Sequence, residues 1–221
     1  MCGFFVVKNK IKNKNIDIKK LINCTNLINH RGPDDKQNIF IKNTFFGFRR
    51  LSILDLTKKG RQPMYNKSRD KLIVYNGEIY NALKLKELIN SKNLNGTSDT
   101  EILLELYEKY GVKCLDKIKG MFAFVIYDLK KETFFIARDQ FGIKPIYYYD
   151  DKNVTIFSSE IKPIIHFLGK INFNYLSFAN FLLKGKLDHY ENTFFENTKS
   201  LEPANFLISN GKFKKKKYWS I

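Results

Sequence analysis

The chain has 221 residues, of which 43% are hydrophobic and 15% aromatic, too rich in core-forming side chains for a disordered chain. Its formal net charge of +17 would suit a nucleic-acid binder, but the excess is nearly all scattered lysine, whereas bidentate recognition favours arginine. No apolar run approaches the roughly 18 residues of a membrane-spanning helix, and three widely separated cysteines indicate neither a disulfide framework nor a clustered metal site. We therefore expect a globular cytoplasmic protein that holds no metal and binds neither nucleic acid nor membrane.

The first hundred residues alternate apolar runs with polar clusters. The patterns predict strands at 2–8, 45–50 and 72–75, and helices at 17–29, at 81–90 and from 98 onward. Asp17 is a plausible cap for the first helix, and the spacing from Ser98 to Glu101 is that of a capping box. The strands at 45–50 and 72–75 each run into a polar cluster, where we expect functional side chains.

The second half of the chain begins with a run of strands. The patterns predict strands at 121–128, 133–138, 146–149 and 154–158, and helices at 160–168 and 175–183. Asn210-Gly211, between two strand-like segments, predicts a hairpin. Strands in runs with helices grouped between them indicate antiparallel sheets with helical layers. No glycine-rich phosphate loop follows a strand, so we expect no nucleotide site in this chain.

Cys2 is the first candidate for chemistry. Removal of Met1 would leave Cys2 with a free α-amine, whose reference pKa is about 7.7–8.0, beside a thiol of about 8.5. These values are matched for proton transfer near neutral pH, so one residue can supply both nucleophile and general base. A lone cysteine is more often buried and inert, so the assignment depends on partners elsewhere in the chain.

An amide-cleaving thiol needs an oxyanion hole and groups that hold the charged ends of its substrate. Asn76 and Gly77 could offer a side-chain and a backbone N–H to an oxyanion, although Asn-Gly is also a common turn. Arg50 could clamp a carboxylate, or it could form a surface ion pair. Asp99 could accept an ammonium group, but spacing alone favours a simpler role in stabilising the first turn of its helix.

A series of short motifs decides between these alternatives. In chain order they are Met1-Cys2-Gly3, His30-Arg31-Gly32-Pro33-Asp34, Arg50-Leu51-Ser52-Ile53-Leu54-Asp55, Tyr75-Asn76-Gly77-Glu78-Ile79-Tyr80-Asn81, Ser98-Asp99-Thr100-Glu101, Gly120-Met121-Phe122-Ala123-Phe124, Ala137-Arg138-Asp139, Gly142-Ile143-Lys144-Pro145 and Ser158-Ser159-Glu160-Ile161-Lys162. With these motifs the chain resembles the class II (N-terminal nucleophile) glutamine amidotransferases, and specifically the glutaminase domain of asparagine synthetases. The resemblance covers nearly the full chain.

The resemblance implies a fold and a role for each candidate residue. The family fold is α+β, a four-layer αββα sandwich of antiparallel sheets flanked by helices. Cys2 would be the nucleophile, with Asn76 and Gly77 as the oxyanion hole, so that a γ-glutamyl thioester forms and water releases glutamate. Arg50 would hold the glutamine carboxylate, and Asp99 with Glu78 its amine. The glutamine site as a whole would comprise Arg50, Leu51, Ile53, Asn76, Gly77, Glu78 and Asp99. No metal or cofactor is implied for this chain.

The resemblance also implies a partner domain. Residues 1–210 would be the glutaminase domain, and residues 211–221 the start of a linker to a C-terminal synthetase domain absent from this chain. That domain would use ATP and Mg to make asparagine from aspartate, and its Ser-Gly-Gly-x-Asp-Ser loop does not occur here. Alone, the chain would hydrolyse glutamine without making asparagine, and a homodimer is left open.

Three alternatives remain open. A relative of this family could amidate another carboxylate, such as a sugar acid in surface-polysaccharide synthesis, because the acceptor binds elsewhere. A non-catalytic module would bind glutamine without turnover, which the intact set Cys2, Arg50, Asn76, Gly77 and Asp99 argues against. A basic nucleic-acid binder predicts steeply salt-dependent binding to DNA or RNA.

Overall fold

A computed structural model describes residues 1–11, 16–89, 94–170, 172–185, 191–210 and 212–220. The α-helices within them are α1 (Ile18–Asn26), α2 (Ala82–Leu85), α3 (Asp99–Tyr110), α4 (Ile161–Leu168) and α5 (Tyr175–Lys184). The strands are β1 (Gly3–Asn9), β2 (Asp35–Ile41), β3 (Thr44–Arg50), β4 (Met64–Tyr65), β5 (Lys71–Ile79), β6 (Gly120–Asp128), β7 (Thr133–Arg138), β8 (Tyr147–Asp150), β9 (Val154–Ser158), β10 (Thr198–Ser200), β11 (Asn205–Asn210) and β12 (Lys212–Lys217). None of the helices in this described part of the chain has the length and apolar character needed to cross a membrane.

The described strands form two antiparallel sheets. The first sheet has the order β10-β8-β9-β1-β3-β2, and the second has the order β12-β11-β7-β6-β5-β4. In the first sheet, β1 lies between β9 and β3, with Gly3 opposite Arg49. In the second, β5 pairs with β6 from Lys71 opposite Asp128 to Ile79 opposite Gly120. The start of β1 is therefore beside the end of β3, which brings residue 2 next to residues 50 and 51.

Apolar side chains form three layers of core. The middle layer joins the facing sides of the two sheets, with Phe4 and Phe46 from the first and Val74 and Val125 from the second. Fully burying such a side chain contributes about 1.5–3 kcal/mol. One outer layer packs α2 and α3 on the second sheet, and the other packs α1 and α4 on the first. This order of helices, sheet, sheet and helices confirms the predicted α+β, αββα sandwich.

Most elements predicted from the sequence are confirmed, but β5 is longer than predicted. Asp17 caps α1, and its carboxylate accepts the Lys19 N–H at 2.8 Å. The strand predicted at 72–75 continues through residues 76–79, because β5 remains paired with β6 as far as Ile79. Residues 76–78 therefore lie within a strand, and their polar character comes from the cavity that they face. The edge strand β2 was not predicted, because its exposed alternate positions include Phe40 as well as Lys36 and Asn38, so polar and apolar residues do not alternate regularly.

Two other predictions on the helices need correction. The predicted helix at 81–90 is shorter, with α2 ending at Leu85 and a 3-10 turn following at Lys86–Leu88, while residue 90 lies outside the described residues. The capping box is only half formed. Ser98 accepts the Thr100 N–H at 3.2 Å, but the Glu101 carboxylate accepts backbone N–H groups of residues 95 and 96 instead. Glu101 therefore fixes the loop that leads into α3.

The last residues continue the second sheet. β12 pairs antiparallel with β11, with Asn210 opposite Lys212, while Gly211 of the predicted hairpin lies outside the described residues. The Tyr218 hydroxyl donates to the Arg138 carbonyl at 2.8 Å. Residues 212–217, assigned from the sequence to the start of a linker, are thus paired in the sheet. The division of the chain at residue 210 stays a prediction.

Candidate active site

Cys2 lies immediately before β1, half-buried against the backbone of residue 51. Its Sγ is 3.4 Å from the nitrogen of Leu51 and 3.5 Å from its oxygen. Burial raises the pKa of the Cys2 thiol, while the hydrogen bond from Leu51 and the nearby N-terminal amine and Arg50 oppose the rise. The thiol is therefore protonated near neutral pH and needs a base before it can attack a substrate.

Two of the sequence motifs hold the backbone around Cys2. Arg31 Nε donates to the Cys2 carbonyl at 3.0 Å, and Arg31 Nη1 lies 3.2 Å from Glu160 Oε1. The Ser159 hydroxyl accepts the Phe4 N–H at 3.1 Å, and the Ser159 N–H donates to the Phe4 carbonyl at 3.0 Å. The Arg-Gly-Pro-Asp and Ser-Ser-Glu segments therefore position the candidate nucleophile.

Arg50 is buried at the end of β3, and its guanidinium reaches into the loop that follows. Nη1 donates to the Thr57 carbonyl at 2.9 Å, and Nη2 donates to the Asp55 carbonyl. Because a guanidinium has five N–H donors, others remain for a ligand carboxylate. Arg49 points to the opposite side of the strand, where Nη2 bonds Asn26 Oδ1. Neither arginine forms an ion pair with a described residue, which removes the surface ion-pair interpretation.

The Asn76 side chain carries an unpaired donor. The residue is 1% exposed, and its Nδ2 has no hydrogen-bond partner among the described residues. Leaving a buried donor unpaired costs about 1–3 kcal/mol, so such groups are rare in folded proteins. Asn76 and Cys2 line the same cavity. The amide is therefore available for an acceptor that enters from the cavity.

Gly77 brings a backbone donor to the same region. The N–H groups of Tyr75 and Ile79 donate to Gln62 Oε1 at 2.6 Å and Asp99 Oδ2 at 3.0 Å, on the side of β5 away from β6. Because N–H directions alternate along an antiparallel strand, the Gly77 N–H points to that side too. A Cβ at this position would overlap the carbonyl oxygen of Met121. Glycine is therefore required for the close approach of β5 and β6 here.

Asp99 is the first residue of α3, and its carboxylate ties that helix to β5. Oδ2 accepts the Tyr75 hydroxyl at 2.7 Å and the Ile79 N–H at 3.0 Å. Burial raises the pKa of Asp99, although both hydrogen bonds oppose the rise. Asp99 therefore does more than stabilise its own helix, because it presents a buried acid to the cavity. Half-buried Glu78 lines the cavity nearby.

A cavity brings together every site residue predicted from the sequence. These residues are Cys2, Arg50, Leu51, Ile53, Asn76, Gly77, Glu78 and Asp99. The cavity is also lined by residues without a predicted site role, namely Met1, Leu54, Asp55, Gly60, Gln62, Tyr75, Ser98, Thr100, Met121 and Lys144. All of these except Gly60 and Gln62 belong to the motifs quoted above, which was the available signal. Gln62 gave no signal, and it braces the site by bonding Tyr75 N and Thr100 Oγ1.

The cavity has the composition of a site for a small zwitterion with an amide. It combines a thiol, an unpaired amide donor, a buried guanidinium and a buried carboxylate. In the described part of the chain, no group of three or more His, Cys, Asp or Glu side chains is arranged to hold a metal ion.

The family model of the glutamine amidotransferase domain matches residues 1–219. The chain belongs to this family. It is an enzyme domain of the N-terminal nucleophile class of glutamine amidotransferases, and the match includes the segments that form the cavity.

Curated relatives of this amidotransferase domain are longer proteins. A Methanocaldococcus jannaschii protein assigned as a glutamine-hydrolysing asparagine synthetase is 42% identical, over 92% of this chain and 44% of its own length. Asparagine synthetase [glutamine-hydrolyzing] 2 of Bacillus subtilis is 39% identical, over 88% of this chain and 27% of its own length. Amidase chyE of Penicillium rubens is 31% identical, over 92% of this chain and 30% of its own length. The chain thus spans less than half the length of these relatives.

Solved structures show the same fold at low sequence identity. The glutamine phosphoribosylpyrophosphate amidotransferase of Bacillus subtilis has a TM-score of 0.67 and 16% identity, covering 98% of this chain and 49% of that chain. At this identity the likeness supports the fold of the amidotransferase domain alone.

Proposed function

We propose that this amidotransferase domain hydrolyses glutamine through a γ-glutamyl thioester on Cys2. The observation that carries the proposal is the unpaired Asn76 Nδ2, buried in the cavity that Cys2 lines. A preorganised donor without an acceptor beside a nucleophile suits an oxyanion that exists only during the reaction. The Gly77 N–H, which points away from β6, would be the second donor.

The two charged ends of glutamine have complementary partners in the cavity. The remaining N–H donors of Arg50 would bind the α-carboxylate, since guanidinium and carboxylate form strong charge-assisted bonds. The buried Asp99 carboxylate would accept the α-ammonium, with Glu78 beside it. An ammonium next to Asp99 would offset the burial that raises the pKa of this carboxyl group. Leu51 and Ile53 would contact the aliphatic part of glutamine.

The proposed reaction begins once Met1 has been removed. The α-amine of Cys2 takes the thiol proton, and Sγ attacks the side-chain amide carbon of glutamine. The oxyanion that forms is bound by Asn76 Nδ2 and the Gly77 N–H. The C–N bond then breaks, the amine returns its proton to the leaving nitrogen, and ammonia departs. Water, deprotonated by the same amine, attacks the thioester carbon. The C–S bond then breaks to release glutamate, and the amine returns the proton to Sγ.

For the whole protein, we propose that the ammonia is used to make asparagine from aspartate. ATP and Mg would be bound by a synthetase domain joined to this one, with the linker beginning near residue 211. Two relatives described above, from Methanocaldococcus jannaschii and Bacillus subtilis, support this proposal because both are named asparagine synthetases. This chain spans less than half of the length of each, which leaves room in those proteins for a further domain. The alternative is another carboxylate acceptor, such as a sugar acid, since the relatives also include a protein named an amidase and not an asparagine synthetase. The three free cysteines support a reducing, cytoplasmic location.

The test is glutamate release from glutamine by the purified chain, with the intact mass of the same sample showing whether Met1 is gone. We expect turnover in the processed protein, no turnover in Cys2→Ala, and accumulation of a glutamyl adduct on Cys2 after an acid quench. Cys24→Ala is the matched control, because Cys24 is a buried packing residue outside the cavity.

Two results would contradict the proposal. Turnover that persists in Cys2→Ala would exclude the thioester on this residue. A processed wild-type protein that binds glutamine without releasing glutamate would favour a non-catalytic binding module. For the acceptor, the whole protein supplied with ATP, Mg and glutamine should form asparagine from aspartate, and product only with another carboxylate would support the alternative.

A further inference from the structure

Lys144 is a buried cation on the wall of the proposed glutaminase cavity. The residue is 5% exposed and lines the cavity together with Cys2 and Glu78. Among the described residues, no carboxylate lies within ion-pair distance of its ammonium group. Lysine side chains are seldom buried without a partner, because removing the charge from water is costly. A buried unpaired lysine at a reaction site therefore points to an electrostatic role.

The backbone of Lys144 is held in place by buried Asp139 and half-buried Arg138. Asp139 Oδ2 accepts the Lys144 N–H at 2.9 Å, and Asp139 Oδ1 accepts the Ile143 N–H at 2.9 Å. Arg138 Nε donates to the Lys144 carbonyl at 3.1 Å, and Arg138 Nη2 donates to the Gly142 carbonyl at 2.6 Å. The Ala-Arg-Asp and Gly-Ile-Lys-Pro segments thus form one unit that fixes Lys144 beside the cavity.

The positive charge of Lys144 acts electrostatically on two ionisable groups at the start of the chain, the Met1 amine and the Cys2 thiol. In each case a positive charge lowers the pKa of the group. Removal of Met1 would place the terminal amine on Cys2, one residue further along the chain on the same cavity wall. Burial lowers the pKa of Lys144 itself, and the positive charge of Arg31 lowers it further. The other charged groups facing this region are Arg31, Asp34, Arg50, Glu78, Asp99 and Asp139.

We propose that Lys144 is a positioning residue for proton transfer at Cys2, because its positive charge on the cavity wall disfavours a proton on the α-amine and favours the thiolate. A neutral amine is the form that can take the thiol proton, and the thiolate is the form that attacks. A cation on the cavity wall favours both forms at once. The inference rests on the proposed glutaminase function and adds to it a residue that sets the working pH.

The experiment compares the processed wild-type protein with Lys144→Met, which removes the charge, and Lys144→Arg, which keeps it. Two quantities are measured as a function of pH between about pH 6 and 10. The first is kcat/KM for glutamine, and the second is the rate of Cys2 alkylation by iodoacetamide. Alkylation needs no turnover, and a Cys2→Ala blank corrects for Cys24 and Cys114, whose pKa values burial raises to about 11 and about 12.

In Lys144→Met we expect the rising limb of both profiles to move up by about one pH unit. The rates then fall about tenfold on the acid side and approach the wild-type rates at high pH. Lys144→Arg should keep the wild-type midpoint. If Lys144→Met does not fold, as judged by circular dichroism, Lys144→Gln replaces it as a polar neutral variant.

Two outcomes overturn the inference. One is an unchanged midpoint in a folded neutral variant, and the other is an equal loss of rate at every pH, as a purely structural role would give. A wild-type protein without glutaminase activity contradicts the proposed function instead. An active wild type with an unshifted neutral variant contradicts only the role of Lys144.

Discussion

The Asn76 amide gives the sharpest test of the proposed reaction, because the structure predicts a large effect of its removal on activity and a small effect on stability. The perturbation is Asn76→Ala, which removes the buried Nδ2 that has no partner. If this donor binds the oxyanion, its loss should lower kcat about 10²–10³-fold, the cost of removing one such donor in other enzymes. Glutamine binding should change much less, since the oxyanion does not exist in the bound ground state.

The effect on folding should be small. Removing an unpaired buried donor relieves a cost of about 1–3 kcal/mol, whereas the void left by the amide costs on the order of 1 kcal/mol. These terms oppose each other, so we expect the free energy of unfolding to change by about 1 kcal/mol or less, or a Tm shift within about 4 °C. A substitution that lowers kcat about 10²–10³-fold should therefore change the stability of the domain only slightly.

The assay pairs glutamate release at saturating glutamine with thermal unfolding of the same sample. Asn38→Ala is the matched control, because Asn38 is an exposed asparagine in a strand away from the cavity. It should leave both kcat and Tm unchanged. A loss of kcat below about fivefold in Asn76→Ala would refute the oxyanion role. A large loss together with a Tm drop above about 10 °C would show that the amide supports the fold instead.

Three further substitutions test the groups around Asn76. Asp99→Asn should raise KM for glutamine at least about tenfold, since a charge-assisted bond contributes about 1.5–3 kcal/mol. Burial raises the pKa of Asp99 in the folded domain, so protonation of this carboxyl stabilises the wild type as the pH falls from the folded pKa towards the ordinary pKa of aspartate. Near neutral pH, where the wild type carries the buried charge and the variant does not, the variant should unfold at an equal or higher temperature. Asp139→Ala should lower the free energy of unfolding by about 4 kcal/mol or more, because four backbone N–H groups lose their acceptor, and calorimetry checks this. Gly77→Ala should lower the free energy of unfolding by about 1–3 kcal/mol and should also lower kcat, because the new Cβ would push β5 away from Met121. A Gly77→Ala protein with wild-type stability and full activity would contradict this close approach of the strands.

The layered fold and the members of the site could be predicted from the sequence, but the local backbone of the site could not. Apolar periodicity located β1, β3, β6, β7, α3 and α5, because buried faces leave a regular pattern. The same rule failed for residues 76–78, where a paired strand carries polar residues because one of its sides faces the cavity. The dipeptide Asn76-Gly77 would by itself favour a turn, but here both residues lie in the paired strand β5. The conflict between local pattern and fold occurred where we propose that glutamine binds.

Lys144 shows a second limit of sequence reasoning. Its segment was among the motifs quoted from the sequence, but nothing in the local pattern predicts that Lys144 is a buried member of the 39 lysine and arginine residues. Its position depends on Asp139, whose carboxylate gathers backbone N–H groups from two separate segments. Such a contact between segments becomes visible only when the chain is folded.

Hydrogen-bond satisfaction separates the groups proposed for chemistry from the groups that hold the fold. Asp139 is 1% exposed, and each of its two carboxylate oxygens accepts two backbone N–H groups, so its hydrogen bonding is satisfied within the domain. Asn76 is equally buried, but its amide donor has no acceptor, and Lys144 has no counter-ion among the described residues. Each unpaired group costs free energy in the folded domain without a ligand. The folded domain gains no stability from this unpaired donor and this unpaired charge, and both groups line the cavity of Cys2. They are therefore the groups whose interactions with a reacting substrate would be the most favourable.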